Sequence, residues 1–184
     1  MKKKEIRNIK ENLPALSYDE SKQCFIYEDG TYMDIYLIQA KDLVNGDPDE
    51  IEMDCFTWAK FYKTYGWDVE IVSMMFPCDT SKQQTYWKKK LETNENPIWE
   101  QMIKRKIQEL EYRERHTVKK EFFLLIFFKS EEELSAGRKN IDSTLGIRSI
   151  DKTGTSAFEM VSEISEKKKR QILFKFCNKN SSIW

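Results

Sequence analysis

Lys119-Lys-Glu-Phe-Phe-Leu-Leu-Ile-Phe-Phe-Lys129 is the stretch on which the fold turns. Seven consecutive apolar residues, Phe122 to Phe128, stand between charged flanks. A membrane span needs about 20 such residues, so this run does not cross a bilayer. Phenylalanine favours strands. A continuous rather than alternating run fits a strand covered on both faces, in the middle of a sheet. A buried helical segment is the alternative. The flanks decide against it: helical patterns stand on both sides, and a helix-start signal, Ser130-Glu-Glu-Glu133, follows at once. The segment is therefore the central strand against which the rest packs.

Working outward, the C-terminal side continues the helix opened by Ser130 and Glu133 through Leu145, carried by Leu134, Ile141 and Leu145 and closed by Gly146. Arg148–Gly154 is a polar connector. Ser156 and Glu159 predict a further helix carrying Phe158, Val161 and Ile164, with the basic run Lys167-Lys-Lys-Arg170 at or after its end, where cations suit the helix dipole. Gln171–Lys179 is a short helix, and Asn178–Trp184 ends polar.

On the N-terminal side, Ile98–Arg115 is a long helix with Ile103, Ile107 and Leu110 as its apolar stripe and Trp99 and Met102 beside it. Lys104, Arg105, Glu109 and Glu111 give it a mixed-sign exposed face. Asp79-Thr-Ser81 caps a polar helix to about Thr93, anchored by Trp87 and Leu91. Asp68–Phe76 is a strand stopped by Pro77. Asp47 as cap and Pro48 as first residue open another helix, with Ile51, Cys55, Trp58/Ala59 and Tyr62 at helical spacing, Phe56 and Phe61 widening the stripe, and Gly66 suited to a left-handed end. Residues 18–28 and Thr31–Ala40 form a hairpin around Asp29-Gly30, a favoured two-residue turn. Met33, Ile35 and Leu37 share one face, and Tyr32, Asp34, Tyr36 and Ile38 the other. The order ββ-α-β-αα-β-α-α specifies an α+β fold. It has roughly four mostly antiparallel strands, with helices packed on them. Residues 1–17 form a basic tail, residues 18–184 a single domain, and residues 151–184 its helical C-terminal portion.

Thirty-one basic and 31 acidic residues cancel, so the chain lacks the basic excess of a general polyanion binder. Three basic clusters, 2–4, 88–90 and 167–170, keep a nucleic-acid-binding accessory protein of a mobile element as the alternative. Cys24, Cys55, Cys78 and Cys177 are dispersed, and with His116 as the single histidine no zinc-ligand spacing exists. Cys78, just before a helix, is the one thiol placed for activation. None of the six glycines belongs to a phosphate-binding loop or dinucleotide turn, and no G-x-S-x-G or H-E-x-x-H occurs. The inventory points to no enzyme and no cofactor. No apolar segment follows the basic N-terminus as a secretory signal would require, so a cytoplasmic protein is expected.

Taken together, Phe25-Ile-Tyr-Glu-Asp-Gly-Thr-Tyr-Met-Asp-Ile-Tyr-Leu-Ile38, the Leu43-Val-Asn-Gly46 loop, the Val69–Phe76 strand, the Lys119–Phe128 strand and Ile164–Asn178 resemble, in order and pattern, the N-terminal domain of the large ATPases of type IV secretion and conjugation, the VirB, TraC, TraE and TrbE group. The motor domain and its phosphate loop, which in that family would follow Trp184, are absent, so no catalytic residue carries over. The resemblance implies a non-catalytic adaptor of a conjugative apparatus. Its partners would be other secretion components, inner-membrane channel proteins or a second copy of itself, and its place the cytoplasm or the inner face of the cell membrane. Trp67, Trp87 and Trp184 are the candidate interface anchors, because tryptophan concentrates at interface hot spots.

Overall fold

The computed structural model describes residues 15–148 and 159–178. The chain forms two compact units, one from the residues up to Ser73 and those from Phe122 onward, the other from Met74–Glu121. In order, the elements are β1 (Ala15–Asp19), β2 (Cys24–Tyr27), β3 (Tyr32–Ile38), α1 (Pro48–Thr64), β4 (Val69–Pro77), α2 (Ser81–Glu92), α3 (Pro97–His116), β5 (Val118–Phe128), α4 (Glu131–Leu145), β6 (Ile147–Arg148), β7 (Val161–Ser162) and α5 (Glu166–Cys177). The architecture is α+β: a mixed open sheet of order β1-β2-β3-β5-β4, with β7 joined to β3 and β6 joined to β7. The four expected strands are β2 to β5; β1, β6 and β7 are additional.

In the first unit, β5 lies antiparallel to β3 from Tyr32 opposite Phe128 to Ile38 opposite Phe122. On its other side, Phe127 N–H donates to the Asp68 carbonyl at the entry to β4. The Phe122–Phe128 run is thus an interior strand. Its alternate residues serve two layers. Leu124, Ile126 and Phe128 join Tyr36, Phe61 and Tyr65 with Leu134, Ile141 and Leu145 of α4 in one buried cluster. On the opposite face, Phe25, Met33, Ile35, Phe123 and Leu125 are buried too. There α5 supplies the cover: Lys168 Nζ stands 5.8 Å from the Phe123 ring and the Arg170 guanidinium 6.0 Å from the Phe25 ring. Ile172 and Leu173 of the same helix are buried. A strand walled on both sides has no polar face, which is why the run is unbroken.

Local chemistry sets the boundaries. Asp47 accepts from Asp49 N–H at 2.9 Å, and Asn96 from Ile98 N–H at 2.9 Å, each followed by proline as first helical residue. Ser130 Oγ accepts from Glu133 N–H, and the Glu133 carboxylate reaches back to Lys129 N–H at 2.8 Å. Gly146, at φ 70°, ends α4.

Several expectations are corrected. The stretch 18–28 is two strands: β1 and β2 are separated by a turn in which Gln23 has φ 52°. The β2–β3 loop has four residues, 28–31, not two. Gly30 at φ 82° donates to the Tyr27 carbonyl, and Tyr27 N–H closes on the Thr31 carbonyl. Helix α1 is rotated by one residue from the predicted stripe. Phe61 is fully buried, while Cys55, Ala59 and Tyr62 are exposed. Asp54 occupies the inward phase and pairs with Lys41 at 2.7 Å, so charge masks the stripe. Gly66 does not take the left-handed conformation; α1 ends at an extended Tyr65. The helix expected from Ser156 fails where it can be seen: Val161–Ser162 is a strand. The residues 149–158 lie outside the described part, as do the tail before Ala15 and the C-terminal end from Lys179.

The second unit is an αα-hairpin, α2 and α3, between the outer ends of β4 and β5. Ile103, Ile107 and Leu110 form its buried stripe as predicted. From α2 the buried residue is Gln84, which donates to Thr80 Oγ1 and to Glu114, while Trp87 and Leu91 are half-buried. Lys88 pairs with Glu111 at 3.3 Å.

Candidate functional site

The site begins with a break in the sheet of the first unit. One edge of β3 pairs with β2 only at Tyr32 and Met33, and with β7 only at Leu37 and Ile38. Between these partners Asp34, Ile35 and Tyr36 have no strand beside them on that edge among the described residues. Asp34 partly heals the break itself, its Oδ1 accepting from Ile35 N–H at 2.7 Å. A pocket of about 370 Å³ opens here.

Asp34 is the centre of the pocket and is 2% exposed. An isolated carboxylate so deep would cost several kcal/mol, about the penalty per ion after relaxation, so it demands partners. Two cations supply them from opposite directions. Arg138, halfway along α4, donates to Oδ2 through Nε at 3.1 Å and through Nη2. Lys169, in the first turns of α5, donates to Oδ1 at 2.6 Å and to the Gln23 carbonyl at 2.6 Å. The Gln23 carbonyl is available because the left-handed Gln23 precedes β2 where it has parted from β3. Lys169 is itself only 4% exposed, with its ammonium 5.7 Å from the Tyr18 ring.

Burial tends to lower the Arg138 pKa, but the Asp34 charge outweighs it and holds Arg138 above its ordinary value. Burial, then the Asp34 charge, pushes the Tyr36 phenol well above its usual range, so it stays protonated. Cys24 is pushed up to about 11 by burial and is an inert packing thiol. Lys22, Lys139, Asp142 and Glu163 complete the charged rim. Lys22 is already held by Glu131 at 2.6 Å.

The arrangement has no nucleophile paired with a base, and no cluster of potential metal ligands occurs among the described residues. Cys78 is half-buried in the second unit, its N–H bonded to the Thr117 carbonyl. His116 stacks on Tyr112, and its Nδ1 lies 2.9 Å from the Tyr112 carbonyl, a helix-end role. The basic run 167–170 is dispersed rather than gathered: Lys168 faces Phe123, Lys169 is buried on Asp34, and Arg170 pairs with Glu166 at 2.6 Å. No described helix is long and apolar enough to cross a membrane.

Of the candidate anchors, Trp67 is half-buried between Tyr65 and Phe128, and Trp87 is half-buried beside Tyr86. Trp184 lies outside the described residues. Trp99 presents more surface: with Ile98 and Met102 it forms an outward apolar face on α3, the three being 73%, 56% and 58% exposed in the order Ile98, Trp99, Met102. Sequence reasoning set Trp99 beside the buried stripe and did not single out Asp34, Arg138 or Lys169. The signal for the triad was present: one aspartate in Tyr32-Met-Asp34-Ile-Tyr36, on an otherwise apolar face, requires a cationic partner.

A family model described as the archaeal TraC-like domain matches residues 19–152. No curated protein and no solved structure matches the chain.

Proposed function

The chain belongs to the archaeal TraC-like domain family, and from that premise we propose that it is a non-catalytic adaptor domain of a conjugative transfer apparatus. Membership points to a conjugation-related role. The finer reading assigns it the part played by the N-terminal region of secretion ATPases: holding other components in place at the inner face of the cell membrane.

The observation that carries the adaptor reading is the outward face of α3. Ile98, Trp99 and Met102 lie together, exposed, in the first turns of the helix and flank the buried stripe of Ile103, Ile107 and Leu110. Large apolar side chains grouped in this way are typical of binding surfaces, and tryptophan is a preferred anchor. The partner we assign is the motor ATPase of the same conjugative element, which would supply the chemistry this chain lacks.

The purified chain and that ATPase should form a complex measurable by sedimentation. The triple substitution Ile98→Ser, Trp99→Ser, Met102→Ser should weaken it at least ~100-fold, as loss of a hot-spot cluster does. Alone, the chain should hydrolyse ATP at background rate. Absence of a complex, or clear turnover by the isolated chain, overturns the proposal.

A further inference from the structure

We infer that the pocket on the open edge of β3 is a binding site for a small oxyanion, a carboxylate or phosphate group on a ligand that fits a space of about 370 Å³. The inference is independent of the adaptor reading, which rests on the second unit.

Charge is the first argument. The pocket floor holds two cations, Arg138 and Lys169, and one carboxylate, Asp34. Asp34 and Lys169, both almost wholly removed from water, offset each other, and one positive charge is left over on Arg138, whose side chain is 27% exposed at the pocket wall. A guanidinium held in place in a recess is a ready partner for a counter-ion.

Geometry is the second. Arg138 uses Nε and Nη2 on Asp34. Its Nη1 donors have no partner among the described residues, and its side chain remains 27% exposed on the pocket wall. Asp34 therefore fixes the guanidinium plane and leaves the Nη1 donors available to a ligand. A guanidinium so oriented recognises carboxylate and phosphate oxygens better than a mobile lysine does. The protonated Tyr36 phenol lines the same space. The volume is within the range of sites for small metabolites.

The rim limits the ligand. Asp142 stands one turn beyond Arg138 on α4, and Glu163 follows β7. With Lys22 and Lys139 on the same rim their charges are offset, so the charge that selects an anion is the one on the floor, and each rim carboxylate weakens it there. This makes Asp142 a useful test. It is exposed, and its Oδ1 accepts from Ile147 N–H at 3.2 Å, a bond that asparagine can keep.

The experiment is calorimetric titration of the whole chain at low ionic strength with inorganic phosphate and, separately, with acetate. One saturable site per chain is expected for at least one of them, and the tighter anion identifies the group the ligand carries. Asp142→Asn should tighten that binding about threefold, the effect of removing one unit charge several Å away in a wet setting. Arg138→Gln should abolish it, with circular dichroism reporting whether the variant folds. Because Asp142→Asn predicts a gain, loss of structure cannot imitate it. If neither anion binds, or if Asp142→Asn leaves the affinity unchanged, the inference is overturned.

Discussion

Asp34 faces Ile126 across the β3–β5 ladder, on a face where leucine, isoleucine and phenylalanine surround it. Its two cationic partners come from helices far apart in the sequence, Arg138 in α4 and Lys169 in α5. The triad thus ties the two helical layers to one strand. Removing one member leaves the others buried without compensation, so Asp34→Ala should cost about 3–5 kcal/mol. Urea denaturation followed by circular dichroism measures this. A loss under about 1 kcal/mol, the ordinary value of an exposed ion pair, would show that the triad is solvated and contributes little. Arg138 was legible only as one of many charges on a helix, and Lys169 only as part of a basic run. A residue-by-residue reading gives no distance between positions 34, 138 and 169, so it exposes the need for a partner without naming one.

At the scale of elements, the helices with strong local caps were readable because their signals act within four residues. Asp47 and Ser130 each make the bond their position implies, and Asn96, which the sequence reading did not single out, caps α3 in the same way. Strand β7 was not readable: two residues long, it exists because Leu37 and Ile38 of β3 and Ile147 and Arg148 of β6 offer it partners. Helix α5 was misplaced for a related reason. Lysines near a helix N-terminus oppose the dipole, so the sequence favoured placing Lys167–Arg170 at a helix end. Asp34, Glu166 and the Phe123 ring offset that penalty from outside the local window. Helix α4 shows the same dependence on its surroundings. A Cβ on Gly137 would lie 2.2 Å from Cε1 of Phe128, a ring that is itself 1% exposed and cannot swing away. Gly137→Ala gains about 1 kcal/mol of helix propensity, but the overpacking costs about 1–3 kcal/mol. The expected outcome is a net loss in the urea midpoint. A variant more stable than the parent would show that α4 does not pack so closely on β5.

At the scale of the whole molecule, the chain leaves the first unit at Ser73 and re-enters it at Phe122. The hydrogen bond from Phe127 N–H to the Asp68 carbonyl sets the register of β5 on β4 at the inner end. Counting along both strands from that bond brings Ser73 opposite Phe122, since antiparallel partners keep a constant sum of residue numbers. The first unit is therefore closed at its own boundary and holds the central strand, both helical layers and the buried triad. We expect that replacing residues 74–121 by an Asn-Gly turn, whose positive φ values match the twist of a two-stranded hairpin, leaves a chain that folds alone. It should unfold in one cooperative transition with the near-ultraviolet signal of packed aromatics, and the oxyanion site should remain. Binding to the motor ATPase should disappear, because Ile98, Trp99 and Met102 have gone with the second unit. A shortened chain that keeps helical signal but loses fixed aromatic packing would mean that the hairpin is required to order the core. The two units would then have to be treated as one cooperative fold, and the separation of anchoring surface from anion pocket would fall with that result.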